Sequence, residues 1–348
     1  MRLKRGPTVK RMLMRWVPRV VGIGLSVAAV LKVGQKAVWS TLAHANPWLV
    51  LIAAVAVFPL LAPKARRWQG VLADFGIPLS WRDAFRFYAI GLWAAIATPG
   101  QVGDGLKAWY VRGRGGHLAP ALASVIVDRL FDVLMLLGAA AFGVVVYGGG
   151  TAALAIPLLT VLVVAGIAVA AVPGLRVGLA RLLPGPVRAK VVSHRWAVAL
   201  RDAHLSGQAV AAAIGWSLLS FTATLARIAL CFRAIDLNLS PVKLIGIVGL
   251  SSLVGLLSIS GIGTRDVFLI VVLGRDGIGQ ETALAASFLI LFLNLTNVVP
   301  GFVAWLRDPV PLKSSVAGVP PEPPRSGQAG QRGQPGQSEQ RFVVSEGD

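Results

Sequence analysis

Apolar runs near the length of a bilayer-crossing helix, about 17–25 residues, follow one another along most of this chain. No other feature constrains its fold so tightly. Within lipid there is no water to satisfy backbone N–H and C=O groups, so a spanning segment closes its own hydrogen bonds as a helix. A mean hydropathy of +0.70, with only 14% charged residues, excludes an ordinary soluble domain. The expected fold is an all-α polytopic membrane protein.

Read in order, residues 1–15 form a basic cytoplasmic tail and 16–31 a first span, retained because no cleavage site follows it. Residues 32–46 read as an interfacial stretch, 47–62 as a second span, and Lys64, Arg66, Arg67 and Trp68 as a basic loop. Further spans are expected at 119–147, 152–172, 207–233 and 282–306, for about six in all. The segment 176–204 alternates apolar residues with arginines, like a basic helix lying on the membrane. The membrane domain therefore covers 16–306, and the Pro-, Gly- and Gln-rich tail 307–348 is expected to be disordered.

Two segments are too short to cross. Residues 87–98 reach about 18 Å at 1.5 Å per residue before meeting Pro99-Gly100-Gln101-Val102-Gly103-Asp104. A similar break, Ser260-Gly261-Ile262-Gly263-Thr264-Arg265-Asp266, lies 161 residues further on. Each is followed by a short apolar stretch ending in Gly-Arg, then by Ala-Leu-Ala and a serine opening a long apolar segment. Paired glycine-interrupted segments in two halves of a membrane protein point to a central binding site. Both are expected to be re-entrant helical hairpins. The charge bias gives them opposite orientations: with both termini inside, only Lys32, Lys36, Arg233, Lys243 and Arg275 of the 34 Lys and Arg residues fall in outer segments.

Asp104 and Thr264 are placed to cap the helices that restart after each break, and the same residues are placed to help form a site. Gly100, Gly103, Gly261 and Gly263 would shape the break around a ligand. Ser124, Asp128 and Asp132 recur every fourth residue on one helix face, with Arg129 within i+3 reach of Asp132. Ionisable groups inside a span face a cavity or each other. Either a structural ion-pair network or a functional site satisfies that rule. Lys107, Arg129, Arg227 and Arg265 together supply enough cations for a phosphate, with Asp266 as a further acid. The stripes Ser217, Ser220, Thr224 and Ser287, Asn294, Asn297 read as packing contacts.

Several functions are excluded. There is no phosphate-loop motif for ATP, no His-Glu-x-x-His, no Cys/His cluster and no Asp-x-Asp pair. No cofactor or metal is implied, and enzymatic activity is not expected. The net charge of +19 tracks membrane loops, so membrane lipids and not nucleic acid are the expected partners. The lone Cys231 permits no internal disulfide.

At these residues the chain resembles the membrane region of lysylphosphatidylglycerol synthases, a family also described as flippase-like. The matching segments are Arg67-Trp68, Gly76-Ile77-Pro78-Leu79-Ser80, the first glycine break with Lys107, Val127-Asp128-Arg129-Leu130-Phe131-Asp132, and the second break. The resemblance implies a multi-pass protein of the bacterial cytoplasmic membrane that moves aminoacylated or similar phospholipid between leaflets. Without the aminoacyl-transferase domain, it would not make lysyl-lipid itself. Asp104 and Asp266 stand where the family more often has glutamate, and Leu293 and Asn294 where an arginine is common. The alternative is a non-transporting accessory subunit for a lipid-modifying or glycosyl-transfer enzyme. Neither the substrate lipid nor the oligomeric state follows from the residues.

Overall fold

The computed structural model describes residues 35–98, 103–148, 205–255 and 262–309, with isolated positions at 31, 158, 161 and 165. All lie in one unit, Met1–Pro309. The expected spans at 16–31 and 152–172 (single positions apart), the basic helix within 176–204, the tail 1–15 and the tail beyond 309 lie outside the described residues. So do Gly100 and Gly261. The described residues are helical and contain no strand.

Among the described residues, four stretches are long and apolar enough to cross a membrane. The first joins α2 (Pro47–Val55) to α3 (Val57–Asp74), following the short α1 (Gln35–Ala43). Asn46 caps α2 by accepting from the N–H groups of Trp48 and Leu49. The break at Ala56 falls ahead of Pro59, which has no N–H to return to Val55. The second and third spans are α6 (Leu118–Tyr147) and α7 (Gly207–Ala234). The fourth joins α10 (Gln280–Thr296) to α11 (Val299–Arg307), interrupted ahead of Pro300. Between them lie shorter helices: α4 (Trp81–Ala97), α5 (Leu106–Gly113), α8 (Pro241–Gly255) and α9 (Thr264–Gly274).

Two expectations are corrected. The residues Lys64 to Trp68 are not a basic loop but lie inside α3, with Arg67 and Trp68 buried. The charges of Lys64 and Arg67 are tolerated there because Asp128 and Asp132 on α6 meet them. The helix before the first break, α4, has 17 residues, about 25 Å, because Ser80 starts it early by accepting from the Asp83 N–H.

The resemblance between the two halves extends to single hydrogen bonds. Ile77 donates to Leu72 O at 3.0 Å, and Leu237 donates to Phe232 O at 2.9 Å, 160 residues on. Gly76 has φ 73° at the first turn, and its counterpart Asp236 has φ 57°. After the glycine breaks the offset is 162: Gly116 donates to Val111 O and Ile278 to Leu273 O, both at 3.1 Å. Even the exposed ion pairs correspond. Asp83 meets Arg114 at 3.1 Å, and at the equivalent positions Lys243 meets Asp276 at 2.6 Å with the signs exchanged.

The halves pack reciprocally. The Ser206 N–H bonds Asp74, Arg67 bonds Ser217, and Arg227 bonds the carbonyl of Ala53, so α2–α3 and α7 run antiparallel. Gly249 on α8 lies so close to α6 that an added Cβ would be 2.2 Å from Ala139 O. Gly301 on α11 lies as close to α4, where a Cβ would be 2.0 Å from Ala89 O. Under the repeat offsets Ala139 corresponds to Gly301, and Ala89 to Gly249. Each half thus offers the other the same pair of positions, which is the mark of a two-fold relation. Gly249→Val and Gly301→Val force side chains onto a backbone carbonyl, and overpacking costs about 1–3 kcal/mol. Both should lower the thermal unfolding midpoint in detergent, while Gly138→Ala, with open space around it, should not. Three equal midpoints would contradict this packing.

Candidate functional site

Arg67 organises a polar core between α3, α6 and α7. Its Nε donates to Asp128 Oδ1 at 2.8 Å, one terminal nitrogen to Ser217 Oγ at 2.8 Å, and the other to Asp132 Oδ1 at 2.9 Å. A guanidinium suits this task because its fork of fixed donors reaches several acceptors at once. Lys107, from α5, reaches the same carboxylate from the opposite side: its Nζ lies 2.9 Å from Asp128 Oδ2 and 3.0 Å from Asp104 Oδ2. The ammonium also lies 4.4 Å from the ring centroid of Tyr88 and 5.1 Å from that of Trp68, close enough for cation–π attraction. Trp68 donates in turn to Ser124 Oγ.

The network continues outward. Arg129 Nε donates to Asp104 Oδ2 at 2.8 Å and a terminal nitrogen lies 3.7 Å from Asp132. Lys64 donates to Asp132 Oδ1 at 2.8 Å. Lys107 and Asp128 are fully buried, whereas the side chains of Arg129, Asp132 and Lys64 keep 27%, 21% and 23% of their exposure. The network therefore has a closed end and an accessible edge. It holds four cations and three carboxylates among the described residues.

The glycine break is shaped around this core. A Cβ at Gly103 would lie 2.1 Å from Ala94 O, so only glycine lets the break return against α4. Thr98 joins the two by donating to Ala94 O and accepting from the Gly103 N–H. Gly91 on α4 faces Asp104, with a Cβ position 2.9 Å from Oδ1. That oxygen is buried and has no hydrogen-bond partner among the described residues.

The expected capping roles change here. The residue preceding α5 is Gly105, and Asp104 makes no cap; it accepts from Lys107 and Arg129 instead. At the second break Gly263, with φ 83°, precedes α9, and Thr264 donates to Val254 O. Asp266 is the capping side chain, accepting from the Gly263 N–H at 3.0 Å. It also accepts from Ser287, whose hydroxyl in turn receives Arg265 Nε. Ser287 and Ser217 thus bind charged groups where packing alone was expected.

The expected residues fall into separate groups. Asp104, Lys107, Asp128, Arg129 and Asp132 share one network; Gly263, Thr264, Arg265 and Asp266 gather with Ser287 at the second break. Arg227 has a third setting, donating to Ala53 O, Asn297 Oδ1 and Thr296 Oγ1 at 2.7, 2.7 and 2.8 Å. The repeat explains its neutral surroundings. Arg227 is the counterpart of Arg67, but Ile290 and Asn294 stand where Asp128 and Asp132 would be, and Leu269 where Lys107 would be. Arg67 and Lys64 were missed because they sit beside Arg66 in what reads as a basic loop. The signal that finds Arg67 is its 160-residue separation from Arg227, the same as that of the flanking turns.

These features define a polytopic helical membrane protein built from two related halves, with an ionic core in one. A family model, the lysylphosphatidylglycerol synthase TM region, matches residues 17–301. The chain belongs to that family, which is concerned with lipid modification or transport at the membrane. No curated protein and no solved structure matches it.

Removing one member of a buried ionic network strands the others, at about 3–5 kcal/mol. Arg67→Ala should therefore lower the thermal unfolding midpoint sharply. The double variant Arg67→Ala, Asp128→Asn should lose less than the sum of the single variants, since it removes both members of the contact. Strict additivity would show that the two groups do not act on each other.

Proposed function

We propose that this protein moves a lipid with an anionic or aminoacylated phosphate headgroup, or a lipid-linked precursor, between leaflets of the bacterial cytoplasmic membrane without hydrolysing ATP. The observation that carries the reading is the ionic core, which reaches from full burial beside the glycine break to an accessible edge at Arg129, Asp132 and Lys64. A charge network buried in a spanning bundle is expensive to desolvate and is weak evidence for stability alone. Its position beside a glycine break in one of two related halves is where transporters bind substrate.

In this reading about six spans surround two re-entrant hairpins of opposite orientation, with both termini cytoplasmic. The first half contributes Gly100, Gly103, Asp104, Lys107, Asp128, Arg129 and Asp132, and the second Arg227, Gly261, Gly263, Thr264, Arg265 and Asp266. A phosphate entering at the accessible edge competes with Asp104 for the Arg129 guanidinium, which can grip two of its oxygens. Asp104, released from one cation and with one oxygen lacking a donor among the described residues, takes up a proton from water. That neutralisation loosens the contact between α5 and α6 and lets the halves rock about their two-fold. Arg227, set among a carbonyl, an amide and a hydroxyl, and Arg265, bonded to Ser287 beside Asp266, receive the headgroup in the second half.

The test is scrambling of a fluorescent phosphatidylglycerol in proteoliposomes, read by dithionite quenching. Arg129→Ala and Asp266→Asn should each slow translocation at least tenfold with protein incorporation unchanged. Wild-type rates in both would reject the site, and an inactive wild type would reject translocation by this chain alone.

A further inference from the structure

A groove of about 750 Å³ runs between α3 and α7, outside the ionic core. Its walls are built from matching positions of the two halves. Pro59 faces into it with Leu219, Ala62 with Thr222, and Pro63 with Ala223, each pair 160 residues apart. The groove therefore straddles the two-fold relation between the halves. Leu219 apart, these positions are small or cyclic, so the antiparallel helices leave space between them. Thr222 adds little polarity, since its hydroxyl donates within the helix to Leu218 O.

The fourth pair breaks the symmetry: Arg66 on α3 corresponds to Ala226 on α7. Arg66 is exposed, lies 5.7 Å from the ring centroid of Trp81, and donates to Gln69. No carboxylate among the described residues pairs with it. Trp81 and Trp216 flank the same end of the groove. One end is thus cationic and aromatic, as at a membrane–water interface, and the remainder is apolar. From Trp216 to Ala226 the helix rises about 15 Å, half of the ~30 Å hydrocarbon core and hence the depth of one leaflet.

We infer that this groove is a binding site for a single anionic phospholipid, with an acyl chain lying along α3 and α7 and the phosphate on Arg66. An exposed arginine at such an interfacial end attracts an anionic headgroup. The lipid phosphate supplies a counter-charge where the protein offers only an amide and an indole. The volume falls within the range of about 300–1,000 Å³ that specific ligand sites occupy. The site shares no residue with the ionic core, so it stands or falls independently of translocation.

Native mass spectrometry of the full chain in detergent, titrated with phosphatidylglycerol or phosphatidylcholine, tests the assignment. Wild type should retain phosphatidylglycerol preferentially. Arg66→Gln, a change at an exposed position, should weaken that retention at least fivefold and leave phosphatidylcholine unaffected. Ala223→Phe should reduce retention of both lipids by filling the groove; if it fails to fold, Ala226→Phe takes its place. Unchanged phosphatidylglycerol retention in Arg66→Gln, or an equal loss of both lipids in it, would overturn the proposal.

Discussion

The structure turns on the cost of keeping Arg67 charged away from water. A guanidinium in a low-dielectric bundle is tolerable only if every direction in which it donates meets an acceptor. Asp128, Asp132 and Ser217 meet three of its nitrogens from two other helices. The position of α3 against α6 and α7 is therefore set by hydrogen-bond geometry as well as by apolar packing. Lys107 extends the same requirement to α5, since the far oxygen of Asp128 needs its own donor. The glycine break follows from this. Lys107 and Asp104 reach the core only because Gly103 and Gly91 let the chain approach α4 without a side chain between.

The two halves answer one architectural problem with different chemistry. Their turns and close helix contacts coincide, so the backbone solution is shared. Their polar interiors diverge: one balances its arginine with carboxylates, the other with a carbonyl, an amide and a hydroxyl. A neutral setting leaves a guanidinium with more unspent positive potential than an ionic one does. That difference gives the two halves unequal electrostatics within equivalent frames. The groove between α3 and α7 shows the same divergence: paired positions of the two halves line it, but Arg66, Trp81 and Trp216 make one end cationic and aromatic.

Much of this was legible beforehand because hydropathy and glycine are local signals. The spans at α6 and α7 were readable to within a residue or so, as apolar length alone defines them. The shared face of Ser124, Asp128 and Asp132 followed from helical periodicity, and the echo of the two glycine breaks was visible in the residues. Arg67 was misplaced because a cation's burial depends on what lies opposite it. Asp128 and Asp132 are more than 60 positions away, and nothing local distinguishes Arg67 from the exposed Arg66. Asp104, placed by its local position both to cap and to join a site, makes no cap for the same reason: Lys107 and Arg129 claim its carboxylate.

The residues alone thus determined the solvent this chain folds in, the helical class that follows from unsatisfiable backbone groups in lipid, and the existence of two related halves. Only the tertiary structure decided which charges are spent on one another. It also decided that the halves pack reciprocally through Ala139 with Gly249 and Ala89 with Gly301, and that their contact leaves a polarised groove. The physical reason is range. Hydropathy, caps and glycine turns act within a few residues, whereas an ion pair or a helix crossing is settled between segments that meet only once the chain is folded.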